Sequence, residues 1–354
     1  MRKATLKTAQ RRALVAGAAC VAAVGAGAQR TPTNGNLPPG AQPGDFDLTY
    51  NVCRGRDPAC YHDWFAAVRV NKVLLFTRTA GPRHANLGPA LAAGLNPPLS
   101  ASNVVQNSIR TWMAAEGVTV DVTEDVTQLQ QLNSGTYKAV IFASNSRDAL
   151  WAHGRAVDPT LAVNTTTGAY LDQGKVALRQ YVRGGGGFVA IHNAFGTEYN
   201  WPWYEGLLGN ANFYDHGPLQ NATVQVVSQD PSTAGLPIRW GFRDEWYNLV
   251  PFPTNVKFLE TVDESTMAPQ PLTGHPGHGR FHPVAWCQYY DGGRAWLTTL
   301  GHDTGAFTDG GTFPGQAQFK QMIVNGIKSA MGLTAFCTGT GSNGNGNGNG
   351  QNGQ

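Results

Sequence analysis

The middle of the chain alternates short apolar runs with longer stretches in which apolar residues recur at helical spacing. The predicted strands cover residues 72–78, 118–125, 138–145 and 188–192. Most of them are continuous apolar runs, which are typical of strands that are covered on both faces. Helical periodicity over residues 102–116 and 170–183 separates the strands. This repeated order predicts a parallel sheet with helices on both faces.

The pattern changes in the last third of the chain. Two apolar runs at residues 283–290 and 295–302 flank the turn sequence Asp-Gly-Gly-Arg, which predicts a hairpin added to the sheet. A last helix is predicted over residues 316–331. We therefore predict an α/β fold with a doubly wound, mostly parallel sheet. In such sheets the functional crevice lies outside the carboxyl ends of the strands.

The N-terminal segment has the composition of an export signal. Residues 1–12 are basic and residues 13–28 are small and apolar, as in a secretory signal peptide. The apolar run is shorter than the ~20 residues that a membrane-spanning helix needs, and no later stretch is apolar enough to span a bilayer. Arg11-Arg12 also fits twin-arginine export, whereas a lipoprotein signal at Cys20 matches less well. We expect a secreted or periplasmic protein.

The charge balance argues against two classes of partner. The whole chain has a net charge of +3, but five of its basic residues and none of its acids fall in residues 1–28. Without that segment the net charge is −2, so nothing favours nucleic acid or an anionic membrane as a partner. The sequence does not indicate an oligomeric state.

Four cysteines remain after the predicted signal peptide. Cys53 and Cys60 bracket a short loop, and we expect them to pair in an oxidising compartment. Cys287 falls inside an apolar run and is expected to be a small buried residue rather than a nucleophile. The pairing of Cys337 stays open.

Composition divides the chain into four parts. Residues 29–70 are rich in Pro, Gly and Asn and form the predicted N-terminal extension that follows the signal peptide at 1–28. The folded domain is predicted over residues 71–332. Residues 333–354 are dominated by Gly and Asn and are expected to be disordered, because such a segment has little apolar surface to bury.

Polar residues follow the predicted strands where a crevice would lie. They are Arg83 and His84 after the first strand, Asp125 after the second, His192 after the fourth, and His216, Glu245 and His302 later in the chain. His192 ends a wholly apolar run, which makes it the strongest candidate, although a core histidine bonded to the backbone is an alternative. No dinucleotide fingerprint, nucleophile-elbow motif or HExxH motif is present.

Several linked motifs resemble the ThuA-like (trehalose utilisation) family over residues 71–332. They include KVLLFTRTAGPRH, VDVTED, GGGFVAIHNAFGTEYNWPWYEGLLG, DEWYN and HPVAWCQYYDGGRAWLTTLGHD. That family is similar in fold to the class I glutamine amidotransferases and to flavodoxin-like proteins. Amidotransferases carry a nucleophilic Cys after the strand where this chain has His192, so the resemblance does not extend to glutamine hydrolysis. Residues 146–169 form a longer connection than is usual in the family.

The resemblance implies an enzyme acting on a keto-sugar or glycoside by hydrolysis, elimination or isomerisation. We expect His192 and His84 to transfer protons, Glu245 to be a second acid or base, and Arg83 to stabilise an oxyanion. The residues expected to contact the sugar are Asp125, Trp201, Trp203, Trp246 and His302.

A divalent, zinc-like metal ion is a further expectation. Its candidate ligands are His84, His192, His216, Glu245 and His302, because mixed sets of imidazole and carboxylate suit such ions. No other cofactor is expected. The alternative function is a non-catalytic carbohydrate-binding or scaffold domain of the same fold.

Overall fold

The computed structural model describes residues 46–64, 70–132, 136–151, 173–268 and 274–338. The predicted signal peptide at 1–28 lies outside this part, together with the first part of the predicted extension. Most of the long connection at 146–169 and residues 339–354 of the predicted tail also lie outside it.

The described residues form thirteen strands and four α-helices. The strands are β1 Phe46–Asp47, β2 Val52–Gly55, β3 Lys72–Phe76, β4 Thr119–Thr123, β5 Ala139–Ala143, β6 Gly187–Ile191, β7 Phe213–His216, β8 Gln220–Val226, β9 Arg239–Asp244, β10 Tyr247–Leu249, β11 Lys257–Asp263, β12 His282–Tyr290 and β13 Gly293–Thr298. The helices are α1 Val104–Ala115, α2 Gln173–Arg183, α3 Pro202–Leu207 and α4 Gln316–Ala330.

One mixed sheet contains most of these strands, in the order β4-β3-β5-β6-β13-β12-β11-β8-β9. The first five strands are parallel to one another, and the pairs from β13 to β9 are antiparallel. The predicted α/β fold class is confirmed. The predicted hairpin is β12–β13, and it joins the sheet through the parallel pair of β13 with β6.

Helices cover both faces of the parallel strands, as predicted. Val73 and Leu75 of β3 face one core, which includes residues of α1 and α4. Leu74 and Phe76 face the other core, which includes residues of α2 and α3. Alternate residues of a strand point to opposite faces, so a strand between two cores must be apolar at every position.

The antiparallel half of the sheet is larger than the single predicted hairpin. Strands β8, β9 and β11 extend it, and β8 and β9 alternate buried with more exposed positions. Such alternation is typical of strands with one face on the core and one on solvent. Their apolar content is correspondingly lower than that of the buried strands.

The N-terminal extension is fastened to the sheet. Strand β2 pairs with β12, and a disulfide joins Cys53 to Cys60, which confirms that predicted pair. Between them, the buried Arg54 lies 2.8 Å from the carboxylate of Asp47. The extension therefore forms part of the packed structure in residues 46–61.

The end of the folded part lies beyond the predicted boundary at residue 332. Phe336 and Cys337 are buried, and a second disulfide joins Cys337 to Cys287 of β12. The predicted start of the disordered tail at residue 333 is therefore too early. The four described cysteines are all disulfide-bonded, so none of them offers a thiolate nucleophile.

Among the described helices, none combines the length and the apolar content that crossing a bilayer requires.

Strand β11 contains a carboxyl group in an apolar environment. Glu260 is fully buried, and burial raises its pKa to about 8. The indole of Trp240 offsets this effect only in part. In the unfolded chain this carboxyl loses its proton near the ordinary pKa of about 4.3. As the pH rises from that value to the folded pKa, the free energy of unfolding therefore falls by about 1.4 kcal/mol per pH unit.

We predict that the Glu260→Gln variant gains stability relative to the wild type as the pH rises from 5 to 8. The substitution removes the carboxyl that must stay protonated in the fold, while other titrating groups cancel in the comparison. Urea unfolding of both proteins at pH 5, 6.5 and 8 measures the difference. A difference in free energy of unfolding that is independent of pH would contradict this prediction.

The two disulfides are expected to contribute unequally to stability. In the chain-entropy model, a link across a sequence separation of 50, as for Cys287–Cys337, is worth about 4 kcal/mol. The same model gives about 2.5 kcal/mol for the separation of 7 between Cys53 and Cys60. We therefore predict that replacing both Cys287 and Cys337 by Ala lowers the free energy of unfolding more than replacing both Cys53 and Cys60 does. Equal or reversed losses in urea unfolding would show that chain entropy does not dominate.

Candidate active site

The structure brings four of the predicted site residues together at the carboxyl edge of the parallel strands. They are His84 after β3, His192 after β6, Glu245 after β9 and His302 after β13. One ligand atom from each side chain lies within 4.8 Å of the ligand atoms of the others. We call these four residues the histidine cluster. The strand-end argument predicted this convergence, and the chemical roles of the residues stay predictions.

His192 is held in a defined orientation by the sheet. It follows β6 directly, has a φ of +53° and is fully buried. A left-handed backbone is unusual for a residue with a Cβ and often marks functional turns. The Nδ1 atom lies 3.1 Å from the carbonyl oxygen of Thr299, which can only accept, so Nδ1 carries the proton.

The Nε2 atom of His192 is consequently a lone-pair acceptor that faces into the cluster. Nε2 of His84 lies 3.2 Å from it, and the hydroxyl of Tyr247 lies 2.9 Å from it. Burial, and next the charge of His84, hold the pKa of His192 well below its usual value. Burial and then His302 lower the pKa of His84 to about 4. Both imidazoles are therefore neutral near pH 7.

Glu245 and His302 form a charged pair beside these neutral rings. The carboxylate oxygen Oε2 of Glu245 lies 2.9 Å from Nδ1 of His302. Burial opposes charge on both groups, but their mutual attraction outweighs it, raising the pKa of His302 and lowering that of Glu245. His216 approaches the same oxygen of Glu245, with Nε2 at 3.6 Å from Oε2.

Two residues that the sequence analysis did not single out support the cluster. Asp244 is fully buried and accepts from the backbone N–H groups of Gly301 and His302, at 2.6 and 3.1 Å. Burial raises the pKa of Asp244 to about 7. The other residue is Tyr247, which burial keeps protonated by raising its pKa well above the usual value. Both residues fall within the DEWYN motif. The position of Tyr247, two residues after Glu245, was a signal in the sequence that Tyr247 lies near the site.

Arg83 and Asp125 have structural contacts away from the four cluster side chains. The guanidinium of Arg83 donates to Glu124 at 2.8 Å and to the carbonyl of Gly88 at 2.7 Å, so it fastens its own loop. Asp125 accepts from the backbone of Thr127 at 2.9 Å and caps the 3-10 helix that follows β4. Neither contact supports the expected roles in oxyanion stabilisation or sugar binding.

Two of the three tryptophans expected to stack on sugar are buried, and the third, Trp201, is partly buried. Trp203 is 4% exposed and its indole N–H donates to Asp291, while Trp246 is 3% exposed and donates to the carbonyl of Gln220. Trp201 packs against Trp203 with 4.7 Å between ring centroids. Burial leaves the faces of Trp203 and Trp246 unavailable to a ligand, so these rings fill the core.

The donor set of the cluster fits a divalent metal ion. Two neutral imidazole nitrogens at 3.2 Å match the separation of about 3.3 Å between nitrogens bound to a tetrahedral zinc ion. His192 also has the backbone partner at its other nitrogen that is usual for metal-binding histidines. Nδ1 of His84 is buried without a hydrogen-bond partner among the described residues. An anionic carboxylate from Glu245 would complete a set suited to zinc or a similar ion.

Three solved structures are similar to this chain over about three quarters of its length. A solved protein described as ThuA-like, from Bacteroides uniformis ATCC 8492, shares 20% identity with a TM-score of 0.51, over 74% of this chain and 93% of that chain. One from Parabacteroides merdae ATCC 43184 shares 17% identity with a TM-score of 0.48, over 74% and 90% of the two chains. A protein described as part of a GMP synthase, from Thermoplasma acidophilum, shares 8% identity with a TM-score of 0.40, over 73% and 93%. At 20% identity, the likeness to the protein from Bacteroides uniformis is one of fold.

No curated protein matches the chain significantly. The model of the family ThuA, described as trehalose utilisation, matches residues 72–330, which confirms the resemblance found in the sequence. That match covers most of the chain, and the protein therefore belongs to the ThuA family.

Proposed function

We propose that this protein is an exported enzyme that acts on a keto-sugar or glycoside with the help of a divalent metal ion. The residues that would hold the ion are His84, His192, Glu245 and His302, and His302 would first have to lose the proton that it shares with Glu245. The observation that carries the proposal is the convergence of these four side chains from distant parts of the chain. The description of the family as trehalose utilisation supports a sugar as the substrate class.

Two further features support export. Residues 1–28 have the composition of a signal peptide, and both disulfides of the described residues suit an oxidising compartment. A secreted or periplasmic location follows from this proposal.

The chemistry of a keto-sugar suits the cluster. The proton on the carbon next to a carbonyl is acidic, and removing it places negative charge on the carbonyl oxygen. A bound divalent ion would supply Lewis-acid stabilisation of that charge. His216, whose side chain is 34% exposed and lies 3.6 Å from Glu245, is placed to pass protons between the cluster and solvent. The hydroxyl of Tyr247 is a second proton-bearing group at the same place.

The neutral lone pairs of His84 and His192 have two possible uses. They can bind an ion, as proposed here, or they can accept protons directly, as general bases do. A lone pair cannot serve both uses at once. The metal content of the purified protein therefore decides which use applies.

We predict that the protein binds one zinc ion per chain and that His84→Ala weakens this binding by at least about 100-fold. A lost ligand costs more than the 10- to 100-fold typical of a lost outer partner. Elemental analysis gives the stoichiometry and isothermal titration gives the dissociation constant. His62→Gln is the control, because His62 stacks on Trp64 outside the cluster. Equal affinity in the two variants, or no bound zinc in the wild type, would contradict the metal site.

We predict that His192→Ala lowers turnover of an oxidised glycoside by about 10³-fold or more while the fold is retained. The measurement is product analysis by mass spectrometry after incubation with a panel of keto-disaccharides, with circular dichroism as the test of folding. Asp125→Asn is the control, since that residue caps a 3-10 helix and its replacement should leave turnover within about twofold.

Three outcomes of this experiment lead to different conclusions. Turnover that survives in His192→Ala would refute the assignment of the cluster as the active site. Sugar binding without any product would favour the alternative of a carbohydrate-binding domain. A large loss in Asp125→Asn would restore the substrate-binding role expected from the sequence.

A further inference from the structure

We propose that the hydroxyl of Tyr247 and a divalent ion compete for one lone pair, that of Nε2 of His192. Tyr247 is then released by metal binding and becomes a hydrogen-bond donor to the substrate. This inference rests on the proposed metal site, and it assigns a catalytic role to a residue outside the proposed ligand set.

The sheet fixes the tautomer of His192 and so decides that its one ring-nitrogen lone pair is on Nε2. Strands β6 and β13 are parallel, with Ile191 opposite Thr298. The residues that follow these two, His192 and Thr299, are therefore also adjacent. Nδ1 of His192 donates to the carbonyl of Thr299 at 3.1 Å. A neutral imidazole has one N–H and one lone pair, so Nε2 can engage one strong partner at a time.

Two groups lie at that lone pair in this structure, Nε2 of His84 at 3.2 Å and, nearer, Tyr247. Its hydroxyl lies 2.9 Å from Nε2 of His192, within the normal range for a hydrogen bond. The centroids of the two rings are 4.7 Å apart, and the ring planes are tilted by 32°. The Tyr247 side chain is almost completely buried, which keeps water from replacing it at this position.

Two further histidines, His278 and His282, form hydrogen bonds with the backbone of the strand that carries Tyr247. Nε2 of His282 lies 2.9 Å from the carbonyl oxygen of Tyr247, and Nδ1 lies 2.7 Å from the carboxylate of Glu264. Two residues further on, the backbone N–H of Leu249 donates to Nε2 of His278 at 3.0 Å. Strand β10 is therefore fixed, so release of the hydroxyl involves movement of the side chain and not of the backbone.

A second acceptor is already within reach of the released hydroxyl. Oδ1 of Asn193 lies 3.4 Å from it, at the long limit of a hydrogen bond. When the His192 lone pair is taken by an ion, the single O–H of Tyr247 can turn to this weak acceptor, and a substrate oxygen can then replace Asn193 as its acceptor. The donor thus becomes available only in the state in which the ion is bound, and the tyrosine remains a neutral phenol throughout.

The test is the affinity for zinc of wild-type protein, Tyr247→Phe and Tyr199→Phe, measured by isothermal titration. Removing the competing hydrogen bond should lower the dissociation constant of Tyr247→Phe by about 2- to 10-fold, the range that one net hydrogen bond is worth. Tyr199→Phe is the matched control, because its hydroxyl donates to the carbonyl of Phe213 and not to His192. The control should bind zinc as the wild type does.

Other results separate two kinds of failure. If the wild type binds no zinc, the proposed metal site fails and this inference fails with it. If the wild type binds zinc and Tyr247→Phe binds it equally well or more weakly, the metal site stands and the competition is refuted.

A spectroscopic measurement distinguishes a released hydroxyl from a tyrosine that becomes a ligand. Copper(II) bound to a phenolate has a visible charge-transfer absorption, whereas copper(II) bound to imidazole and carboxylate alone does not. We expect the copper(II)-loaded wild type and Tyr247→Phe to lack this band alike. A band in the wild type that disappears in Tyr247→Phe would identify Tyr247 as a metal ligand and overturn the proposal.

Discussion

The arrangement of the site depends on the parallel register between β6 and β13. That register places the residue after Ile191 beside the residue after Thr298, so the imidazole of His192 finds a backbone carbonyl at Thr299. The contact fixes which nitrogen of His192 carries the proton, and the other nitrogen must then face the cluster. A slip of one residue would turn the side chain to the other face of the sheet and remove the acceptor.

A second constraint holds the antiparallel half of the molecule against this edge. The buried carboxylate of Asp244 accepts from the backbone of Gly301 and His302, which joins the end of β9 to the segment after β13. Asn86 donates to the carbonyls of the same two residues from the loop that carries His84. Hydrogen bonds between side chains and the backbone thus join three of the four segments of the cluster.

How much of this could be predicted varies with the physical signal. Strands β3, β5 and β6 are buried on both faces, so their continuous apolar runs identify them, and the polar residues after them could be placed at one edge. Strands β8 and β9 have one face toward solvent, and their weaker alternation hid most of the antiparallel half. Trp203 and Trp246 were misjudged because an aromatic residue looks the same in sequence whether it packs in a core or lines a surface. The DEWYN motif placed Tyr247 near Glu245, but its hydrogen bond with His192 could not be predicted because that contact depends on tertiary structure.

The cluster draws its residues from positions 84 to 302, and this span has a consequence for the biogenesis of the protein. No shorter fragment contains all four side chains, so a complete site exists only after nearly the whole domain has folded. A protein exported in the folded state would meet the metal pool of the cytoplasm first, whereas one exported unfolded would meet only that of the outer compartment. Because sites built from imidazole and carboxylate bind copper more tightly than zinc, the place of folding would determine which metal the proposed site acquires.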